Sequence, residues 1–170
     1  MTTSVTPVWA QHDLEYQVKA EYLYNFVQFV NWPDSAWPSA DAPFRICVAG
    51  ADPFGPILDR AVQGERVGGH PLRVERPAAD ANMDRCQVVF LSANETPRSP
   101  GILKAITSTS VLTIGESTDF LLAGGAIAFA LDGGRVRFDV NLQSPHLKDL
   151  RVSSKLLRLA RTIWRQENGS

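Results

Sequence analysis

Short apolar runs alternating with stretches of helical spacing constrain this chain more than any other feature. Phe44-Arg45-Ile46-Cys47-Val48-Ala49 and residues 72–76, 88–92 and 111–114 read as strands; residues 54–62, 100–107 and 117–122 read as helices. Near-continuous apolar strands separated by helices belong in a parallel sheet covered on both faces. The rhythm then changes. Residues 126–131 and 135–141 flank Asp132-Gly133-Gly134, a hairpin signal. In the second run Val136, Phe138 and Val140 alternate with Arg135, Arg137 and Asp139, so one face packs and the other is wet. A last helix is predicted over 153–166. The expected fold is α/β: a single domain with a largely parallel sheet, helices on both faces, a C-terminal β-hairpin and a final helix.

Residues 13–31 read as a further helix, ended by Asn31-Trp32-Pro33 because the residue before proline disfavours helical geometry. Leu14, Val18, Tyr22, Phe26 and Phe29 form one apolar stripe; Tyr16, Ala20, Leu23, Val27 and Val30 form a second on nearly the opposite face. A helix apolar on two faces needs cover on two faces. One stripe is expected on the sheet. The other, through Tyr16, Leu23, Val27 and Val30, is expected at a homodimer interface. Residues 1–12 read as a leader or a signal-peptide remnant, since Val8-Trp9-Ala10 before Gln11 fits a cleavage site but lacks the charged and apolar parts of a full signal. The domain is expected over 13–166, with a frayed tail at 167–170.

Across 170 residues, 44% hydrophobic and 21% charged, there is core enough for one domain. Lys+Arg total 17 against 18 Asp+Glu, so the basic excess of a nucleic-acid binder is missing. No apolar run reaches the roughly 20 residues that span a bilayer, so no direct membrane insertion is expected. His12, His70 and His146 have no ligand spacing to other metal-binding side chains and read as exposed loop histidines. No serine sits in a nucleophile elbow, and pairs such as Asp80 and Asp84 read as solvated. The expectation is a binding protein rather than an enzyme, with no metal and no cofactor.

Gly50-Ala51-Asp52-Pro53-Phe54-Gly55 follows the first strand of the alternating set, where doubly wound folds hold ligands, but matches no phosphate-loop pattern. Asp52 reads as a helix N-cap with Pro53 behind it. The functional alternative is a small-ligand cleft formed by Asp52 with Arg151 and Ser153. Lys155, Arg158, Arg161 and Arg165 make a basic side on the last helix. Ile127, Phe129, Asp139, Pro145 and Ile163 are expected at a partner surface, because the hairpin, the Pro145 loop and the last helix break the sheet-and-helix rhythm. Cys47 lies in one strand and Cys86 opens another. On neighbouring strands, about 4.8 Å apart, they fall within disulfide reach if the register allows. Two buried thiols packing as small hydrophobes are the other reading.

The segments Val18-Lys19-Ala20-Glu21-Tyr22-Leu23-Tyr24-Asn25-Phe26 through Asn31-Trp32-Pro33, Phe44 to Val48 with Asp52-Pro53-Phe54-Gly55, Gly133 to Leu142, and Ser153-Ser154-Lys155-Leu156-Leu157 occur in this order. In these the chain resembles the YfiR family of periplasmic repressors, over about residues 16–161. The resemblance implies a dimeric, non-catalytic α/β protein of the bacterial periplasm. It also implies binding to the periplasmic sensory domain of a membrane-anchored diguanylate cyclase, with repression of cyclic di-GMP signalling and biofilm formation. Cys47 and Cys86 fall where a family disulfide is implied. With two cysteines in total, a second regulatory bridge has no residues to form it. The alternative is a periplasmic small-molecule-binding sensor.

Overall fold

A computed structural model describes residues 7–165. Its centre is an eight-stranded sheet. Strand β2 (Phe44–Ala49) pairs in parallel with β4 (His70–Glu75) on one side and with β5 (Val88–Leu91) on the other. The sheet continues in parallel through β6 (Leu112–Gly115) and β7 (Ile127–Asp132), then turns antiparallel at β8 (Arg135–Asn141). With β3 (Arg66–Val67) and β10 (Thr162–Trp164) at the edges, the order is β10-β8-β7-β6-β5-β2-β4-β3. A separate antiparallel pair joins β1 (Val30–Asn31) to β9 (Arg151–Val152).

Alternation along the strands assigns side chains to two cores. Phe44, Ile46 and Val48 of β2 face a layer made by α1 (Val8–Phe29), α2 (Pro56–Val62) and α5 (Ser154–Leu159), with Leu23, Phe26, Phe90, Phe129 and Phe138. Cys47 and Ala49 face the other way, towards α3 (Ser99–Ala105) and α4 (Thr118–Leu122), among Val89, Leu103, Val111 and Phe120. The parallel sheet, its helices on both faces and the hairpin are as the sequence implies.

Three elements differ from expectation. The last helix stops at Leu159; after Ala160 and Arg161 the chain becomes β10, parallel to β8. Thr162, Ile163 and Trp164 are β-branched or aromatic, and the open edge of β8 gives them backbone partners that a helix would forgo. Helix α1 begins at Val8, so residues 8–12, expected as leader, are helical, whereas 1–6 and the tail at 167–170 lie outside the described residues. Finally, the cap of α2 is Gly55 with Pro56 behind it, one turn later than the Asp52-Pro53 reading. Asp52 instead closes a local turn, its Oδ1 accepting from Phe54 N at 2.9 Å.

Candidate functional site

Cys47 and Cys86 are joined by a disulfide, with Cα atoms 6.0 Å apart. The bridge ties β2 to the segment entering β5 and closes a loop of 39 residues. By loop-closure entropy such a link stabilises by about 4 kcal/mol.

The crevice at the carboxyl ends of β2, β5 and β6 is the place where an open parallel sheet holds ligands. Here the first half of α1 lies over it. Lys19, 4% exposed, reaches down from α1 to Glu116 and also pairs with Glu15 at 3.0 Å. Tyr16 donates its hydroxyl to Glu116 Oε2 at 2.7 Å, and Ala93 N donates to Oε1 at 2.9 Å. Burial first, then the neighbouring carboxylate, pushes the Tyr16 phenol well above its ordinary range. Every polar group in this cluster is engaged in holding the helix, so the cluster is an anchor.

Asp52 is also engaged. Its Oδ2 accepts from Arg76 Nε at 2.7 Å, while the same guanidinium donates to Asp59 and to Gly55 O. Arg151 lies in β9 against Asn31, at the far end of α1. His12, near the start of that helix, sits 3.2 Å from Pro53 O. The eighteen residue steps from His12 to Val30 along α1 span about 27 Å. Asp52 and Arg151 therefore cannot line one cleft. Ser153 caps α5, accepting from Lys155 N.

The residues expected at a partner surface divide. Ile127 and Phe129 are buried in the core beneath α1. Asp139 is buried and held by Arg161, whose Nε and Nη2 donate to its two oxygens at 3.0 and 2.7 Å. Pro145 is exposed and Ile163 half-buried on β10. The hairpin strand β7 is interior because α1 covers it on one face and α4 on the other. The residues expected at a dimer interface, Tyr16, Leu23, Val27 and Val30, are not free to form one: all four are buried in the chain's own core. The exposed apolar residues of α1 are Val8, Trp9 (71%), Leu14 (57%) and Val18, and Leu131 (60%) stands at the hairpin tip. Leu14, Val18, Leu131 and Val136 line a groove of about 750 Å³ between α1 and the hairpin. Leu14 and Val18 are legible in the sequence as one stripe; that its C-terminal members turn inward is a tertiary fact.

His70 and His146 are buried, against the expectation of exposed loops. His70 stacks on Trp37 at 3.8 Å and bonds Ala42 O through Nδ1; His146 bonds Ile106 O through Nε2. Among the described residues no three metal-binding side chains cluster.

A second opening lies on the opposite face of the sheet. The crossover from β4 to β5, residues 76–87, carries no helix, and beside α3 it leaves a cleft of about 520 Å³.

The chain resembles solved structures in fold. A conserved domain protein from Vibrio cholerae O1 biovar El Tor aligns with a TM-score of 0.61 at 10% identity, covering 87% of this chain and 60% of that one. The ABC domain in complex with L-Trp from Streptococcus pneumoniae aligns with a TM-score of 0.54 at 9% identity, covering 88% and 60%. The chain thus spans less than two thirds of either neighbour. No curated protein matches it in sequence. The YfiR/HmsC-like (DUF4154) family matches residues 16–161, which takes in α1, the disulfide, the hairpin and α5. The chain belongs to the YfiR/HmsC-like family.

Proposed function

We propose that this chain is a non-catalytic regulator of the periplasm. It binds the periplasmic sensory domain of a membrane-anchored diguanylate cyclase and represses it, lowering cyclic di-GMP and biofilm formation. The observation that carries this reading is the family match over 16–161, which supports a periplasmic regulator of diguanylate cyclase at family level. The Cys47–Cys86 bridge fits an oxidising compartment. No helix among the described residues is long and apolar enough to cross a membrane.

Repression by binding is a population shift: the regulator engages the inactive cyclase more tightly than the active one. The apolar surface open to that partner is Trp9, Leu14 and Val18 of α1 with Leu131 of the hairpin, flanked by Glu15 and Arg135. Leu14, Val18 and Leu131 meet at one groove, and exposed apolar side chains rimmed by charge are what a partner would cover. Pro145 and Ile163 remain candidates at a second edge; Ile127, Phe129 and Asp139 do not.

The test is capture of host membrane proteins on the purified chain, read by mass spectrometry, with and without reductant. Enrichment of a membrane-anchored diguanylate cyclase supports the reading. Recovery of no cyclase under either condition overturns it.

A periplasmic small-molecule sensor is the second reading, and the open cleft beside α3 is what favours it.

A further inference from the structure

We infer that the cleft beside α3 is a binding site for a small carboxylate with an apolar aryl or alkyl body, its head received by Arg98. This goes beyond the cyclase reading and does not depend on it.

The cleft originates in the chain's path. Two parallel strands are normally joined by a helix packed on the sheet. Between β4 and β5 that helix is missing, and the space it would fill beside α3 is open. Its volume of about 520 Å³ lies in the range of small-molecule sites. Met83, Ile102 and Ile106, all three buried, supply an apolar floor. Gly101 keeps the α3 wall low: a Cβ there would meet nothing within 4 Å.

The opposite wall is fixed rather than adaptable. The disulfide holds Cys86 to β2, and Asp84 accepts from Thr107 N, Thr107 Oγ1 and Ser108 N just beyond α3. A cleft built in advance spares a ligand the cost of ordering it.

The charge at one end selects the head group. Arg98 lines the cleft, and among the described residues its one ion-pair partner is Glu95, with Nη1 3.5 Å from Oε2. Glu95 is nine-tenths buried, its Oε1 takes the Ala51 N–H, and Oε2 has no hydrogen bond at all. The guanidinium therefore sits beside its carboxylate without bonding it, and its planar fork is available to a carboxylate entering from the cleft. Asp80 on the loop wall repels an anion, which turns the head towards Arg98 and leaves the apolar body over Ile102.

The experiment is calorimetric titration of the full chain with 4-phenylbutyrate, and with 4-phenylbutylamine as the charge-reversed control. Saturable binding of the acid and none of the amine is expected. Arg98→Gln should weaken the acid by about tenfold or more, and Gly101→Trp, which fills the cleft, should abolish binding. Arg98→Lys keeps a cation beside the buried Glu95 while removing the planar fork, so its weakened binding of the acid reads the head-group contact even if Arg98→Gln or Gly101→Trp misfolds. No saturable binding of the acid, equal binding of acid and amine, or unchanged affinity in Arg98→Gln would each overturn the assignment.

Discussion

Lys19 on α1 and Glu116 beyond β6 form an ion pair in which both side chains are about 95% buried, 97 residues apart in sequence. The pair fixes the longest helix of the fold to the carboxyl ends of the central strands and closes the crevice there. Removing one partner of a buried pair strands the other charge, at about 3–5 kcal/mol. Glu116→Gln leaves Lys19 with Glu15 alone, so the loss in unfolding free energy is expected at or below the low end of that range. Lys19→Met combined with Glu116→Gln, which keeps an acceptor for Tyr16 and Ala93, should recover part of it. Urea unfolding of the three proteins checks both.

Gly115 precedes that glutamate and touches Phe120. A Cβ at Gly115 would lie 2.3 Å from the ring's Cγ, a contact that forces the aromatic side chain of α4 to shift. Overpacking of this kind costs about 1–3 kcal/mol. Gly115→Ala should lose that stability, and Phe120→Leu in the same chain should return part of it. Thermal unfolding of the single and double variants reads the coupling.

The disulfide gives a separate expectation. Replacing Cys47 and Cys86 together by alanine frees a 39-residue loop and should lower stability by about 4 kcal/mol, with secondary structure retained by circular dichroism. Reductant should shift the midpoint of the native chain and leave that of the variant unmoved.

Asp84 carries a pH signature. Burial raises its carboxyl, but the Thr107 hydroxyl, the Thr107 and Ser108 amides and the nearby His146 outweigh this and leave it below its ordinary value. A depressed folded value contributes stability above the unfolded range of about 3.9 and loses it as pH falls through the folded value. The native chain should therefore weaken on acidification through that window. Asp84→Asn should be less stable at neutral pH and flatter below pH ~4.

Much of the architecture is legible from local pattern. The apolar runs at 44–49 and 88–91 and the turn at Asp132-Gly133-Gly134 report strands and a hairpin because their side-chain period is local. The period of β2 also puts Cys47 on the face opposite Ile46, where Cys86 meets it. What the pattern misses is decided by distant partners. Ile163 and Trp164 read as helix until β8 offers an edge, and Tyr16, Leu23, Val27 and Val30 read as a dimer interface until the sheet is present to bury them. The cleft beside α3 has no motif, because it arises from a helix that a crossover lacks.

The partner surface makes its own expectation. Leu14→Glu and Leu131→Glu place charge on exposed sites and should change stability by no more than about 0.5 kcal/mol, yet lower cyclase capture sharply. Leu159→Glu, equally exposed on α5, should leave capture intact.

Repression itself is read most directly in the host. Cyclic di-GMP should be quantified in cells lacking this chain, and again after its return on a plasmid. A rise on deletion and a fall on restoration are expected of a cyclase repressor. Levels unchanged or lowered by deletion would contradict that function.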